Sequence, residues 1–271
     1  MRVLIITGSH PRHNYFIASV RQHLEPEGYI ICEREAMIPP APPTLGPYLT
    51  ELWQTHFSKR DAAETSFFGE SGREFSAENV LKIPADQLNA DATIDWYLDQ
   101  KPFDMVLLSG CPIVKDPFYG MLPAWTVNAH LGLIPYFKGT MSPFWTHYLL
   151  KPNWNGCTYH VIGRHVDTGM IIHQTQAKLH YEDGVHEAAC RNYVTMCNDV
   201  EKVLRFVNAA LVYDNVPEPD PSLARKGMLF TNADWHAGLL VVLYTTFSDR
   251  VCAYFLDKLI PQTAWPKLIS L

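Results

Sequence analysis

The stretch Val3-Leu4-Ile5-Ile6-Thr7 is continuously apolar, closes at once on Gly8-Ser9, and has a counterpart in Met105-Val106-Leu107-Leu108. A strand wetted on one face alternates polar and apolar residues, whereas a strand covered on both faces reads as an unbroken apolar run. Here such a run is followed by a Gly/Ser turn, a helix-compatible segment from Asn14 to His23, and a second strand from Tyr29 to Cys32. That order opens α/β domains with parallel sheets. Thr126 to His130 reads as a further strand, and Cys157 to Ile162 with Met170 to Gln174 as a hairpin around the Gly163–Gly169 turn. The pattern predicts an α/β chain: a Rossmann-like, mostly parallel sheet flanked by helices.

Helical faces complete the outline. Leu49, Leu52, Trp53 and Phe57 share one face, Ala85 to Gln100 suits another helix, and Asp183 to Val212 is the longest helical pattern. Residues 39–83 read as an insertion of unassigned role, with Arg60 to Asn79 loop-rich. Pro217, Pro219 and Pro221 mark a linker. Residues 1–214 are therefore expected to form the main domain and 215–271 a linker with a small, β-containing C-terminal appendage. Its β-like runs are Met228–Thr231 and Leu239–Thr246, and the apolar Leu239–Leu243 makes it a candidate homodimer interface.

Charge and composition exclude several classes. The formal net charge is −6 with no basic cluster, the wrong footprint for a nucleic-acid partner, whose phosphates are held by cations. No apolar run approaches the ~20 residues that cross a bilayer, and the first residues read as a strand rather than a secretory leader. A cytoplasmic chain without a membrane partner is expected. The six cysteines lack a CxxC pair and sit mostly in apolar runs, as reduced core thiols do. No histidine pair has zinc-ligand spacing beside a carboxylate, so no metal is expected.

Chemistry concentrates at Asn128-Ala-His130, just past a strand end at the edge where open α/β sheets bind ligands. His165-Val-Asp167-Thr-Gly169 then sets a carboxylate in a turn. An amide that donates to a developing oxyanion, an imidazole that moves a proton and a carboxylate that orients it form a kit for acyl transfer. Taken alone, the same residue types also suit a loop cap, a buried histidine and an ordinary turn.

The stretch from Asn128-Ala-His130 through Pro135 to Gly139, followed after 37 positions from His130 by Asp167-Thr-Gly169, resembles the catalytic signature of the folate-dependent formyltransferases. That family includes methionyl-tRNA formyltransferase, glycinamide ribonucleotide transformylase and the sugar N-formyltransferases. The resemblance covers roughly Asp104 to Gln174, and it implies a formyltransferase catalytic domain over 1–214. It implies that Asn128, His130 and Asp167 are catalytic and that 10-formyltetrahydrofolate is the co-substrate. The folate would lie along Leu107, Leu108, Ser109 and Gly110 and against Arg164 and Val166. Gly8, Ser9, His10 and Arg12, in the loop after the first strand, would meet the amine substrate, with a phosphate received ahead of a helix. Lys138 is a further candidate substrate contact, and Trp235-His236 a candidate stacking pair.

Residues 211–271 hold five Lys/Arg against six Asp/Glu, which gives tRNA nothing to hold. The favoured acceptor is a nucleotide-linked amino sugar destined for a surface glycan such as a lipopolysaccharide O-antigen. Formylation of another amine, hydrolysis of 10-formyltetrahydrofolate and a non-catalytic binding module remain alternatives.

Overall fold

A computed structural model describes residues 1–69, 77–100, 102–213, 218, 220–258 and 264–271. Nine strands, seven α-helices and several short helical turns follow one another among the described residues: β1 (Val3–Gly8), α1 (Pro11–Arg21), β2 (Gly28–Glu33), α2 (Pro47–Phe68), β3 (Val80–Pro84), α3 (Asp91–Gln100), β4 (Met105–Ser109), β5 (Thr126–His130), β6 (Phe137–Gly139), α4 (Ser142–Tyr148), β7 (Cys157–Val161), β8 (Ile171–Thr175), α5 (Val185–Asn198), α6 (Val200–Val212), β9 (Met228–Phe230) and α7 (Val251–Asp257).

The main sheet runs β3-β2-β1-β4-β5-β7-β8. Its first five strands are parallel, and β7 and β8 are antiparallel additions. The expected mostly parallel sheet is therefore present. The apolar strands divide by alternation. Val3, Ile5, Met105, Leu107, Val127 and Ala129 pack with Phe16, Val20, Tyr193, Met196 and Val203 of α1, α5 and α6. Leu4, Ile6, Val106 and Leu108 pack with Ile94, Tyr97 and Phe103 on the α3 side. Each fully buried Ile or Leu contributes about 1.5–3 kcal/mol, so both faces are strongly specified. Because Val127 and Ala129 take the α5/α6 face, Asn128 and His130 must point the other way. The chain turns back between β1 and β4, which puts the sheet's switch point between those strands, one strand away from β5.

Four expectations need correction. The Asp183–Val212 helix is broken at Asp199, whose carboxylate takes His173 Nε2 and Lys202 Nζ, each at 2.9 Å. α2 continues through much of the expected loop. Ala63 and Phe68 reach the core there, and Glu64 is buried against Arg12. Strand β3 went unread because Lys82 and Pro84 interrupt its apolar character, as edge strands permit. Finally, Leu239–Thr246 is helical rather than β, because a helical turn places Leu240 and Leu243 on one face of a cluster with Leu52, Phe137, Trp145 and Val251. Packing overrides the local β-propensity of Val241 and Val242. Among the described residues, the β content of the appendage is the three residues of β9.

The rest of the insertion, residues 70–76, and Pro217 and Pro219 of the linker lie outside the described residues. Within the apolar run Leu239–Leu243, Leu240 and Leu243 are wholly buried in the chain's own interior, while Leu239, Val241 and Val242 are half-buried. No single described helix is long and apolar enough to cross a membrane. The last residues run beside β8: Gln174 N–H donates to Ile269 O at 2.6 Å, and Ile269 N–H to Gln174 Oε1 at 3.1 Å. All six cysteines are free.

Candidate active site

β5 and β7 pair so that Asn128 faces His160 and His130 faces Thr158. Directly opposed residues of an antiparallel pair project from one face with Cβ atoms about 5 Å apart, so four polar side chains share one small area. Asn128 Nδ2 lies 3.2 Å from His160 Nε2. His160 Nδ1 lies 2.9 Å from Val161 O. A carbonyl can only accept, so Nδ1 carries the proton, and the neutral ring offers Nε2 as an acceptor for the Asn128 amide. One Asn128 N–H is thereby fixed and the other left for a ligand. Asn128 is half-buried, whereas His130, His160 and Asp167 are buried.

His130 Nε2 stands 3.0 Å from Phe137 O, which assigns its proton to Nε2 and its lone pair to Nδ1. The same Nε2 lies 3.5 Å from Asp167 Oδ2, while Asp167 Oδ1 lies 3.4 Å from His160 Nε2. The carboxylate thus sits between two imidazoles and also accepts the Gly139 N–H at 2.6 Å. Asp167 adopts φ 53°, a left-handed conformation that Asp tolerates better than most residues. Burial pushes its pKa up, but His130 and His160 in their protonated forms, in which His160 Nε2–H donates to the carboxylate, and the Gly139 N–H outweigh that and hold it well below the ordinary carboxylate range. Asn128, His130 and Asp167 are therefore brought together, and the aspartate points at the imidazole.

His160 and the backbone of Phe137 and Gly139 belong to this arrangement and were not singled out from the sequence. A signal for His160 exists. Thr158 and His160 are polar at alternate positions of an apolar strand, as Asn128 and His130 are in theirs. Two such strands in contact oppose their polar faces.

The expected folate contacts fall into two groups. Leu107, Leu108 and Ser109 are buried in β4. The leucine side chains belong to the two cores, Ser109 Oγ is 2.8 Å from Tyr193 OH, and Ser109 O accepts from Thr7 Oγ1 at 2.6 Å. Their side chains are committed to the interior. Gly110, at φ 63°, lies where a Cβ would overlap the His13 ring, so the first turn of α1 touches the loop after β4. Arg164 is exposed, with its guanidinium 3.5 Å from Asp116 and over the Tyr119 ring, and Val166 is half-buried beside Asp167.

In the loop after β1, Ser9 Oγ accepts the Arg34 N–H at 2.9 Å and Arg12 is paired with buried Glu64. His10 Nε2 meets Glu35 O at 2.7 Å, and His13 Nδ1 accepts the His10 N–H at 3.1 Å. Gly8 packs against the His13 ring. Burial first, and then the Arg12 charge, lower the pKa of both histidines, His13 the further. At neutral pH the positive charge near this loop is therefore that of Arg12, Arg34 and Arg60, not of the imidazoles. Lys138 is buried, with Nζ 3.3 Å from Leu223 O, which directs it toward the appendage. Trp235 is half-buried, packed on Trp53, Phe57 and Phe144, and His236 is exposed.

No family model matches the chain, and no curated protein matches its sequence. Solved structures do match. A phosphoribosylglycinamide formyltransferase from Anaplasma phagocytophilum superposes with a TM-score of 0.54 at 18% identity, over 77% of this chain and 88% of that one. A sugar N-formyltransferase from Shewanella sp FDAARGOS_354 gives 0.52 at 16% identity, over 86% and 78%. An N-formyltransferase from Helicobacter canadensis, in complex with folinic acid and dTDP-3-aminofucose, gives 0.51 at 13% identity, over 87% and 73%. At these identities the likeness is one of architecture: the chain has the formyltransferase fold.

Proposed function

We propose that the chain transfers the formyl group of 10-formyltetrahydrofolate to the amine of a small substrate, with residues 1–214 as the catalytic domain. The observation that carries this is the convergence of Asn128, His130 and Asp167, with the amide orientation set by His160. The donor set fits a polarised carbonyl: one free amide N–H, one imidazole lone pair and one carboxylate that stays ionised. The formyl donor supplies the electrophilic carbon and leaves as tetrahydrofolate.

The residues divide the work. The second Asn128 N–H stabilises the negative charge that develops on the formyl oxygen, a contribution of about 2.7–4 kcal/mol for one preorganised donor. His130 Nδ1 accepts the proton of the attacking amine, and the Phe137 carbonyl keeps its Nε2–H in place. Asp167, near Nε2, stabilises the imidazolium that results.

For the acceptor we favour a nucleotide-linked amino sugar. The loop after β1 and the first turn of α1 lie beside the loop after β4 and have Arg12, Arg34 and Arg60 near them for a diphosphate. The Helicobacter canadensis neighbour is in complex with a ligand of that kind and with folinic acid. Mixing the protein with 10-formyltetrahydrofolate and a panel of nucleotide-linked amino sugars, glycinamide ribonucleotide and methionyl-tRNA tests the reading. Amine-dependent release of tetrahydrofolate is expected. Release without an amine would make the chain a hydrolase, and none with any amine would reject catalysis.

A further inference from the structure

β6 touches two of the three titratable members of the site, His130 and Asp167, through its backbone. Phe137 O accepts from His130 Nε2 at 3.0 Å, and the Gly139 N–H donates to Asp167 Oδ2 at 2.6 Å. A strand of three residues has little stability of its own, since even a whole hairpin is marginal in water. Its strand partner among the described residues is β9, in the register Phe137↔Met228, Lys138↔Leu229 and Gly139↔Phe230.

The pairing is closed at both ends. The Met228 N–H donates to Tyr136 O and the Thr140 N–H to Phe230 O, each at 2.9 Å. The strands approach closely enough to exclude a methyl group. A Cβ on Gly139, at φ 87°, would overlap Phe230 O, and one on Gly227, at φ 69°, would overlap Pro135 O. Phe230 is the anchor of the contact. Its ring stacks on Trp145 at 4.3 Å and 10°, and lies nearly parallel to Phe137 at 6.4 Å.

We propose that Phe230 is a positioning residue for formyl transfer: by seating β9 on β6 it holds the Phe137 carbonyl and the Gly139 N–H where they orient His130 and Asp167. This rests on the transfer reading above, and Phe230 acts through β6 rather than on the reacting atoms. Site geometry is sensitive enough for such leverage, because a displacement of about 1 Å can cost ~100-fold in rate.

The test compares Phe230→Ala, Phe230→Tyr and Gly227→Ala with wild type, in steady-state formyl transfer and in amide hydrogen exchange. Phe230→Ala is expected to lower kcat at least tenfold per folded molecule while KM for the formyl donor stays within twofold. Phe230→Tyr, which keeps the stacked ring, should recover most of the rate. Gly227→Ala should lower kcat from the other end of β9. The Gly139 and Thr140 amides should exchange at least tenfold faster in Phe230→Ala, with β4 and β5 unchanged. A folded Phe230→Ala with wild-type kcat, or with unaltered exchange at Gly139, overturns the proposal. Should that variant not fold, Gly227→Ala decides by the same two readouts. Wild-type protein that transfers formyl to no amine would sink the transfer reading instead. The exchange arm then judges the clamp alone: faster exchange at Gly139 supports it, and unchanged exchange overturns it.

Discussion

The seam between β5 and β7 and the loop after β1 both belong to the sheet's ligand-binding side, yet they hold their polar groups in opposite ways. At the seam, Asn128, His130, His160 and Asp167 satisfy one another while an amide N–H and an imidazole lone pair stay uncommitted. In the loop, Arg12 is matched by Glu64, His10 by Glu35 O and Ser9 by the Arg34 amide. On the transfer reading proposed above, the first region is preorganised for a reacting carbonyl. The second is closed on itself, so an anionic ligand there must compete with partners already in place. Reactivity calls for fixed dipoles, whereas a binding loop tolerates exchange of partners.

The contrast can be broken in four ways. The largest effect belongs to Asn128→Ala, expected to lower kcat about 100–1000-fold with little change in KM, as for loss of one oxyanion donor. Steady-state kinetics decide, and a near-normal kcat would remove Asn128 from the chemistry. His160→Ala should cost about 10–100-fold, since the Asn128 amide loses the acceptor that orients it. His160→Gln, which can still accept, should restore part of the rate.

Asp167 makes a pH-dependent contribution. Its carboxyl is held below the ordinary range in the folded state, so its stabilisation is complete above about pH 4 and fades as pH falls further. The urea midpoint gap between wild type and Asp167→Asn should therefore be widest above about pH 5 and shrink steadily as pH falls below about 4, with much of it still present at pH 3. A gap independent of pH would contradict the paired carboxylate. The smallest effect is expected in the loop. Glu64→Gln releases Arg12 from its counter-charge and should tighten a diphosphate substrate by no more than about fivefold, the worth of one partly screened ion pair. Weaker substrate binding in that variant would show that the pair itself builds the site.

The sheet was readable because its strands are buried on both faces and announce themselves as apolar runs, and Asn128, His130 and Asp167 because their spacing is distinctive. What escaped was set by tertiary contact. β3 is an edge strand with Lys82 and Pro84 in it, and Leu239–Thr246 carries β-formers that a helical turn packs better. Asp199 breaks one apolar stripe into two helices by serving His173. Lys138 reads as a candidate substrate contact, and its burial against Leu223 depends on a segment some 85 positions away. His10 reads as a candidate substrate contact, and its enclosure beside Arg12, which lowers its pKa, depends on contacts that the sequence does not show.

The run of Ile269 along β8 has a consequence for how the molecule behaves in a crowd. An outermost strand with bare amides invites a neighbour to add itself and extend the ladder from chain to chain. Here Ile269 already occupies Gln174 on that flank, and at the opposite flank Pro84 removes a donor from β3. Neither margin offers an uninterrupted template, so the fold carries its own guard against fibrous self-association.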